Sequence, residues 1–154
     1  MKRHLKTVTV NEVYTLLDSA KYTNMESADR RALVKAIRPL KKIYAEFTDF
    51  RDDAVRRLRP DNYEEVARLV DEFNRLSTDA RISAMADPKY ASAIRTFNVF
   101  QSEIAECLSE EAVREHELEY EPLTSEAIDR LLDSNTGWTV GQAMLVEEAL
   151  GNNE

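Results

Sequence analysis

The sequence has a single cysteine, Cys107, so no disulfide can form within the chain and no multi-thiolate metal site can be assembled from it. Thiol-based redox chemistry within one chain is therefore not expected. Only three glycines occur, Gly137, Gly141 and Gly151, all near the end of the sequence. Neither glycine-rich phosphate-binding fingerprint can be written with them. No serine lies in a glycine-flanked elbow, and Cys107 has no histidine within helical reach, which removes the common nucleophile systems. No stretch approaches the roughly 18 apolar residues of a membrane span, and the first residues lack the apolar run of a secretory signal. A cytoplasmic location without membrane contact is the expectation.

What is present is a composition suited to a packed core: 154 residues, 43% apolar and 32% charged. Few glycines and prolines among many Ala, Leu, Glu and Arg favour helix. The length suits one helical domain spanning residues 1–154. The net charge of −8 is unevenly spread. Residues 1–59 carry 14 basic and 8 acidic side chains, a balance of +6, whereas residues 60–154 carry 7 and 21, a balance of −14. Such polarity suits either an anion-binding face or two parts of one domain that attract each other, and the second is the simpler expectation.

Apolar spacing supplies the elements. His4 to Val10 is rich in β-branched residues and alternates, which predicts a short strand, with Thr9 or Asn11 capping a helix through about Lys21. From Ser27, the residues Leu33, Ile37, Leu40, Tyr44 and Phe47 recur at helical spacing, with Ile43, Phe50 and Ala54 on a neighbouring stripe. Pro39 lies inside this run and predicts a kink or break near Ile37. A second long helix follows Pro60, with Tyr63, Val66, Val70, Phe73 and Leu76 on one face. Asp87-Pro88 is a restart signal for a third, which carries Tyr90, Ile94, Phe97, Ile104 and Leu108 and places Cys107 as a small core residue.

After Glu111 the period changes to two: Leu118 and Tyr120 alternate with Glu117, Glu119 and Glu121 until Pro122. The natural partner of this strand is the N-terminal one, pairing Val8–Val10 with Leu118–Tyr120, because Lys6 beside an acidic strand is favourable. Thr124 or Ser125 then caps a helix bearing Ile128, Leu131 and Leu132, and Thr139 opens a last helix that Gly151 ends. The fold class expected is mainly α: three long helices in a bundle, a short two-stranded antiparallel ribbon and two small C-terminal helices.

Three stretches, in this order, carry a resemblance. They are Arg31-Ala-Leu-Val-Lys-Ala-Ile37 running on to Phe47-Thr-Asp-Phe-Arg51, the acidic Glu117-Leu-Glu-Tyr-Glu-Pro-Leu-Thr124, and the terminal Trp138-Thr-Val-Gly-Gln-Ala-Met-Leu-Val-Glu-Glu-Ala-Leu150. Their layout resembles that of a family of small uncharacterised proteins encoded by tailed bacteriophages and prophages. The resemblance implies a phage or prophage origin, a cytosolic host setting and a helical protein that acts by contact. It brings no catalytic residue with it.

Two constellations could carry chemistry. His4 and His116 lie on the two expected strands, and with Glu115 or Glu117 they would make a legitimate metal ligand set, although exposed histidines in charged surroundings are the commoner outcome. The helical Glu-x-x-His motif of di-iron sites is absent, since Val113 stands three residues before His116. Glu103-x-x-Glu106 and Glu126-x-x-Asp129 resemble the paired acids of all-α, Mg²⁺-dependent nucleoside triphosphate pyrophosphatases. With 29 acids in 154 residues, chance alone gives about five acid-x-x-acid pairs, and the sequence has six. The expectation is therefore no enzyme, with no catalytic, cofactor-binding or metal-ligating residue and no cofactor.

The candidate contact face is basic. Arg31, Lys35, Arg38 and Lys42 follow one another at spacings of 4, 3 and 4, which sets four cations on one helical stripe able to track phosphates. A −14 segment in the same small chain would repel a phosphate backbone, so the expectation is that Glu and Asp of residues 61–121 neutralise the stripe. The reading that follows is a non-enzymatic interaction protein of phage or prophage, an assembly factor or a modifier of host or phage machinery, with a phage or host protein as partner. Self-association into a homo-oligomer is left open. The alternative is a nucleic-acid-binding regulator using the basic helix 30–59, which the acidic balance disfavours.

Overall fold

The computed structural model describes residues 2–152. The fold is mainly α, with 73% of the described residues helical. The elements run β1 (Lys2–Lys6), α1 (Thr7–Asp18), α2 (Ser27–Leu58), α3 (Tyr63–Arg75), α4 (Thr78–Ala84), α5 (Pro88–Ala112), β2 (Glu115–Glu119), α6 (Ser125–Ser134) and α7 (Val140–Leu150). Two compact units result, one from Met1–Asp49 with Glu111–Glu154 and one from Phe50–Glu110. No helix among the described residues is long and apolar enough to cross a membrane.

The first unit buries the larger core. Val10, Val13 and Leu17 of α1, Leu33, Ala36, Leu40 and Ile43 of α2, Leu131 of α6 and Val146, Ala149 and Leu150 of α7 meet there. Helical spacing puts each of these sets on one side of its helix. Side-chain oxygens close the helix starts where Thr was expected to cap: Thr124 accepts from the Ala127 N–H, and Thr139 and Gln142 form a reciprocal capping box. Such caps contribute about 1 kcal/mol each.

β1 and β2 pair antiparallel, from Lys2 opposite Glu119 to Lys6 opposite Glu115. The association of the two strands is the expected one, but both lie elsewhere than expected. The first strand ends at Lys6, and Thr7, Val8 and Val10 begin α1. Burial explains the difference: as helix, Val10, Val13 and Leu17 reach the core together, and tertiary packing overrides the β preference of Val and Thr. Neither Thr9 nor Asn11 caps α1; instead the Thr7 N–H donates to the Arg114 carbonyl at 3.0 Å, passing the chain from ribbon to helix. The second strand begins at Glu115, so the pairing is Lys2–Lys6 with Glu115–Glu119 rather than Val8–Val10 with Leu118–Tyr120.

Pro39 does not break α2, which runs unbroken through 32 residues. Losing one backbone donor is outweighed by burial on both sides of it, with Leu33 and Ala36 before, and Leu40 and Ile43 after.

The first turn of α2 is tied to α6. Asp29, 8% exposed, accepts from Arg130 Nε at 2.7 Å and from its Nη2 at 3.3 Å. These bonds hold the Asp29 carboxyl below the usual carboxylate range, against the opposing effect of burial and with help from the Glu26 N–H. Because the folded pKa is depressed, the pair's stabilisation is present above the ordinary Asp pKa and is lost as pH falls through the folded value. Asp29→Asn is therefore expected to lower the thermal midpoint at neutral pH, and the gap to the parent should narrow steadily below about pH 4. Melting curves recorded across that range check it; a constant gap would refute the assignment.

The second unit has its own smaller core, in which Val66 and Leu69 of α3 pack with Ala93 of α5. Tyr63 meets Phe100 edge-on at 5.4 Å between centroids. The later part of α2 packs with α5, where Arg57 Nη2 donates to Cys107 Sγ at 3.5 Å. Cys107 is half-buried rather than a full core residue. After α3, Ser77 accepts from the Ala80 N–H as the cap of α4.

Candidate functional site

The face of α2 opposite its core residues is built entirely of cations and one apolar side chain. Between residues 30 and 42 stand Arg30, Arg31, Lys35, Arg38, Lys41 and Lys42 and no acid. At 3.6 residues per turn these six and Val34 fall within an arc of about 140°. All seven are exposed. The buried residues Leu33, Ala36, Leu40 and Ile43 take the other side, so the core fixes which way the cations point.

None of the six cations makes an ion pair among the described residues. Arg30 Nε donates to the Met25 carbonyl at 3.2 Å and Arg31 Nε to the Ser27 carbonyl at 3.3 Å, which steadies both side chains without neutralising them. Within the first unit, no acid of residues 111–121 makes an ion pair with Arg31, Lys35, Arg38 or Lys42 among the described residues. Several acids of residues 61–121 pair within their own unit. Glu64, Asp71 and Glu72 pair with Arg59, Arg75 and Arg68 of their own unit, while Glu115 and Glu117 face Lys2 and His4 across the ribbon.

Arg30, Arg31, Val34, Lys35 and Arg38 surround a surface depression of about 250 Å³. Val34 is 52% exposed at its centre. At the other end of the stripe Lys42 lines a separate depression with Glu46 and the β2 residues Glu115, Glu117 and Glu119. The cationic field is therefore bounded by carboxylates on one side. Like charges one turn apart, as in Arg31 with Lys35 and Arg38 with Lys42, cost α2 a few tenths of a kcal/mol per pair. Nothing inside the fold offsets that cost.

The two histidines do not converge. Register places His4 opposite Glu117 on the outer face of the ribbon, where its Nδ1 lies 3.3 Å from Glu115, whereas His116 opposes Leu5 on the other face and its Nε2 is 2.7 Å from Thr7 Oγ1. Alternation along a strand puts adjacent register positions on opposite sides, so the two rings cannot share a ligand sphere here. Of the paired acids, Glu103 and Glu106 belong to α5 in the second unit and Glu126 and Asp129 to α6 in the first, all four exposed.

Comparison with protein-family models, with curated proteins and with solved structures gives no match.

The run of spacings 4, 3 and 4 names four of the face's six cations. Lys41, three residues after Arg38, and Arg30, by its helical phase, were the signals that would have included the other two. Val34 was hidden because an apolar residue in an apolar-rich helix is normally assigned to the core.

Proposed function

We propose that the chain is a non-enzymatic interaction protein that binds a protein partner through the basic face of α2. The partner offers a short acidic segment with an apolar residue that seats on Val34. The observation that carries this reading is the unpaired arc of six cations around a half-exposed valine. Charged rims around an apolar centre are the usual anatomy of a protein contact, with energy concentrated at the desolvated middle. A role as assembly factor or as modifier of phage or host machinery belongs to the same proposal, as does the phage or prophage origin.

Cations without an ion pair among the described residues also favour the nucleic-acid reading, and the flanking acids weigh against it. A phosphate backbone that follows the stripe past Arg38 reaches Lys42 beside Glu115, Glu117 and Glu119. A short acidic segment can stop before them.

The experiment titrates the full chain with two labelled probes, a peptide alternating Glu with Leu and a DNA duplex, and repeats both with Val34→Thr. Covering the exposed half of a valine is worth about 1 kcal/mol, so the isosteric hydroxyl should weaken the peptide about fivefold and leave the duplex unchanged. Peptide binding indifferent to Val34→Thr, with tight duplex binding at physiological salt, would replace this reading with the nucleic-acid one.

A further inference from the structure

The sheet of the first unit has two strands, so each strand has an edge that no third strand covers among the described residues. Register shows what the edge of β2 presents. The Thr7 N–H donates to the Arg114 carbonyl, and antiparallel alternation then makes His116 with Leu5 and Leu118 with Arg3 the hydrogen-bonded pairs of the ribbon. Glu115, Glu117 and Glu119 fall between these pairs, and their N–H and C=O groups point away from β1. Among the described residues no hydrogen bond reaches those backbone groups. Water can solvate such a row, but an extended backbone can match it bond for bond.

The same edge opens on a depression of about 450 Å³. All five residues of β2 line it, together with Pro39, Lys42, Ile43 and Glu46 on one side of α2, and no residue of β1 does. A helix beside the edge leaves room for a single extended segment rather than for the edge of another folded sheet. The depression is acidic, with Glu46, Glu115, Glu117 and Glu119 set against Lys42 and Arg114, and Arg114 is paired with Glu111. Glu117 and Glu115 also reach β1, at 2.8 Å from Lys2 Nζ and 3.3 Å from His4 Nδ1, whereas Glu46 and Glu119 make no ion pair among the described residues. Three glutamates on one face of an edge strand repel an acidic strand, a second β2 included, and favour a basic one.

We infer that the free edge of β2 binds an extended basic segment of a partner protein, which joins the ribbon as a third, antiparallel strand. Lys or Arg at alternate positions stand opposite Glu115, Glu117 and Glu119 on the outer face, and the small residues between them turn to the side of Leu118. Main-chain hydrogen bonds supply the affinity and the alternating side chains the choice of partner. Only Lys42 is common to this edge and to the basic face of α2, and the inference does not rest on the function proposed for that face.

The test titrates the full chain with a labelled short peptide alternating Lys with Val, followed by anisotropy. The peptide is expected to bind, and a version with Gln in place of Lys to bind at least about tenfold more weakly. Methylating the backbone nitrogens of its Lys residues removes the N–H groups that face β2 and keeps every charge, so it should cost about fivefold per hydrogen bond lost. Glu117→Pro removes an outward N–H that the ribbon does not use, a change edge strands tolerate. It should bind the peptide at least about fivefold more weakly than Glu117→Ala, which loses the same carboxylate and keeps the donor. Amide hydrogen exchange at Glu115, Glu117 and Glu119 should slow when the peptide binds, while His116 and Leu118, already bonded to β1, stay unchanged. Full affinity of the methylated peptide, equal binding of the Gln peptide, or unchanged exchange at the three edge amides would overturn the inference, and would do so even if Glu117→Pro failed to fold. Self-association of the parent chain that Glu117→Pro abolishes and Glu117→Ala preserves would overturn it too, since the occupant would then be a second copy.

Discussion

Arg3→Met is expected to destabilise the first unit by about 3 kcal/mol, and deletion of residues 1–8 to abolish its cooperative melting. Arg3 is 8% exposed and donates to two carbonyls at the end of α7, Glu148 at 2.7 Å and Gly151. Those carbonyls lie where a helix leaves its acceptors unpaired and where its dipole favours a cation. Hydrogen bonds from a charged donor contribute about 1.5–3 kcal/mol each, and the apolar substitute takes the donor from one buried and one part-buried acceptor. The guanidinium also lies over Tyr120, 5.6 Å from the ring centroid, and the Tyr120 hydroxyl donates to the Ala149 carbonyl. Arg3 therefore couples the start of the chain to α7 and to the segment after β2. Deleting residues 1–8 removes this together with β1, leaves the inner edge of β2 without its partner, and takes away the fully buried Thr7. Calorimetry on the three chains measures both effects. A truncated chain melting with the parent would show that the ribbon is dispensable.

The helices were legible because burial and spacing agree along them. Leu33, Ala36, Leu40 and Ile43, or Ile128 and Leu131, recur at three and four residues and all turn inward. Thr124 and Thr139 stand where a side-chain oxygen must close a helix start, and Pro88 begins α5 as its fixed φ favours. The passage from β1 to α1 was not legible, since Thr7-Val-Thr-Val10 has strand preference and only the core position of Val10 makes it helix. Pro39 was read locally, whereas the continuity of α2 depends on side chains packed several residues away on each side. The freedom of the basic face was hidden for a different reason. Segment charges of +6 and −14 say nothing about which groups meet. The ion pairs Arg68–Glu72 and Arg75–Asp71 lie within one helix, and Lys2–Glu117 follows from strand pairing, so these acids are spent locally, which a segment's total charge does not reveal.

Lys35→Glu combined with Arg38→Glu is expected to weaken the acidic peptide at least about a hundredfold while leaving the chain no less stable than the parent. The substitutions turn two cations of the six into anions, both lining the depression that Val34 also lines. Each reversal replaces an attraction with a repulsion, and rim or centre charges of this kind act on both encounter and complex lifetime. Stability follows a different rule. Both side chains are exposed and neither makes an ion pair among the described residues, so no folded-state contact is lost. The new carboxylate at 35 would stand one turn from Arg31, converting a repulsive helical pair into an attractive one worth a few tenths of a kcal/mol. A face that serves only folding cannot behave in this way, because its reversal would lower the melting temperature along with any binding. The salt dependence separates the partner classes on the same samples. A duplex held by about four phosphates loses affinity with a log–log slope near −3.6, about −0.9 per phosphate, whereas a peptide seated on Val34 keeps an apolar contribution that salt does not screen. A lowered melting temperature in the double variant, with peptide binding intact, would show that the cations of α2 hold the fold rather than a partner.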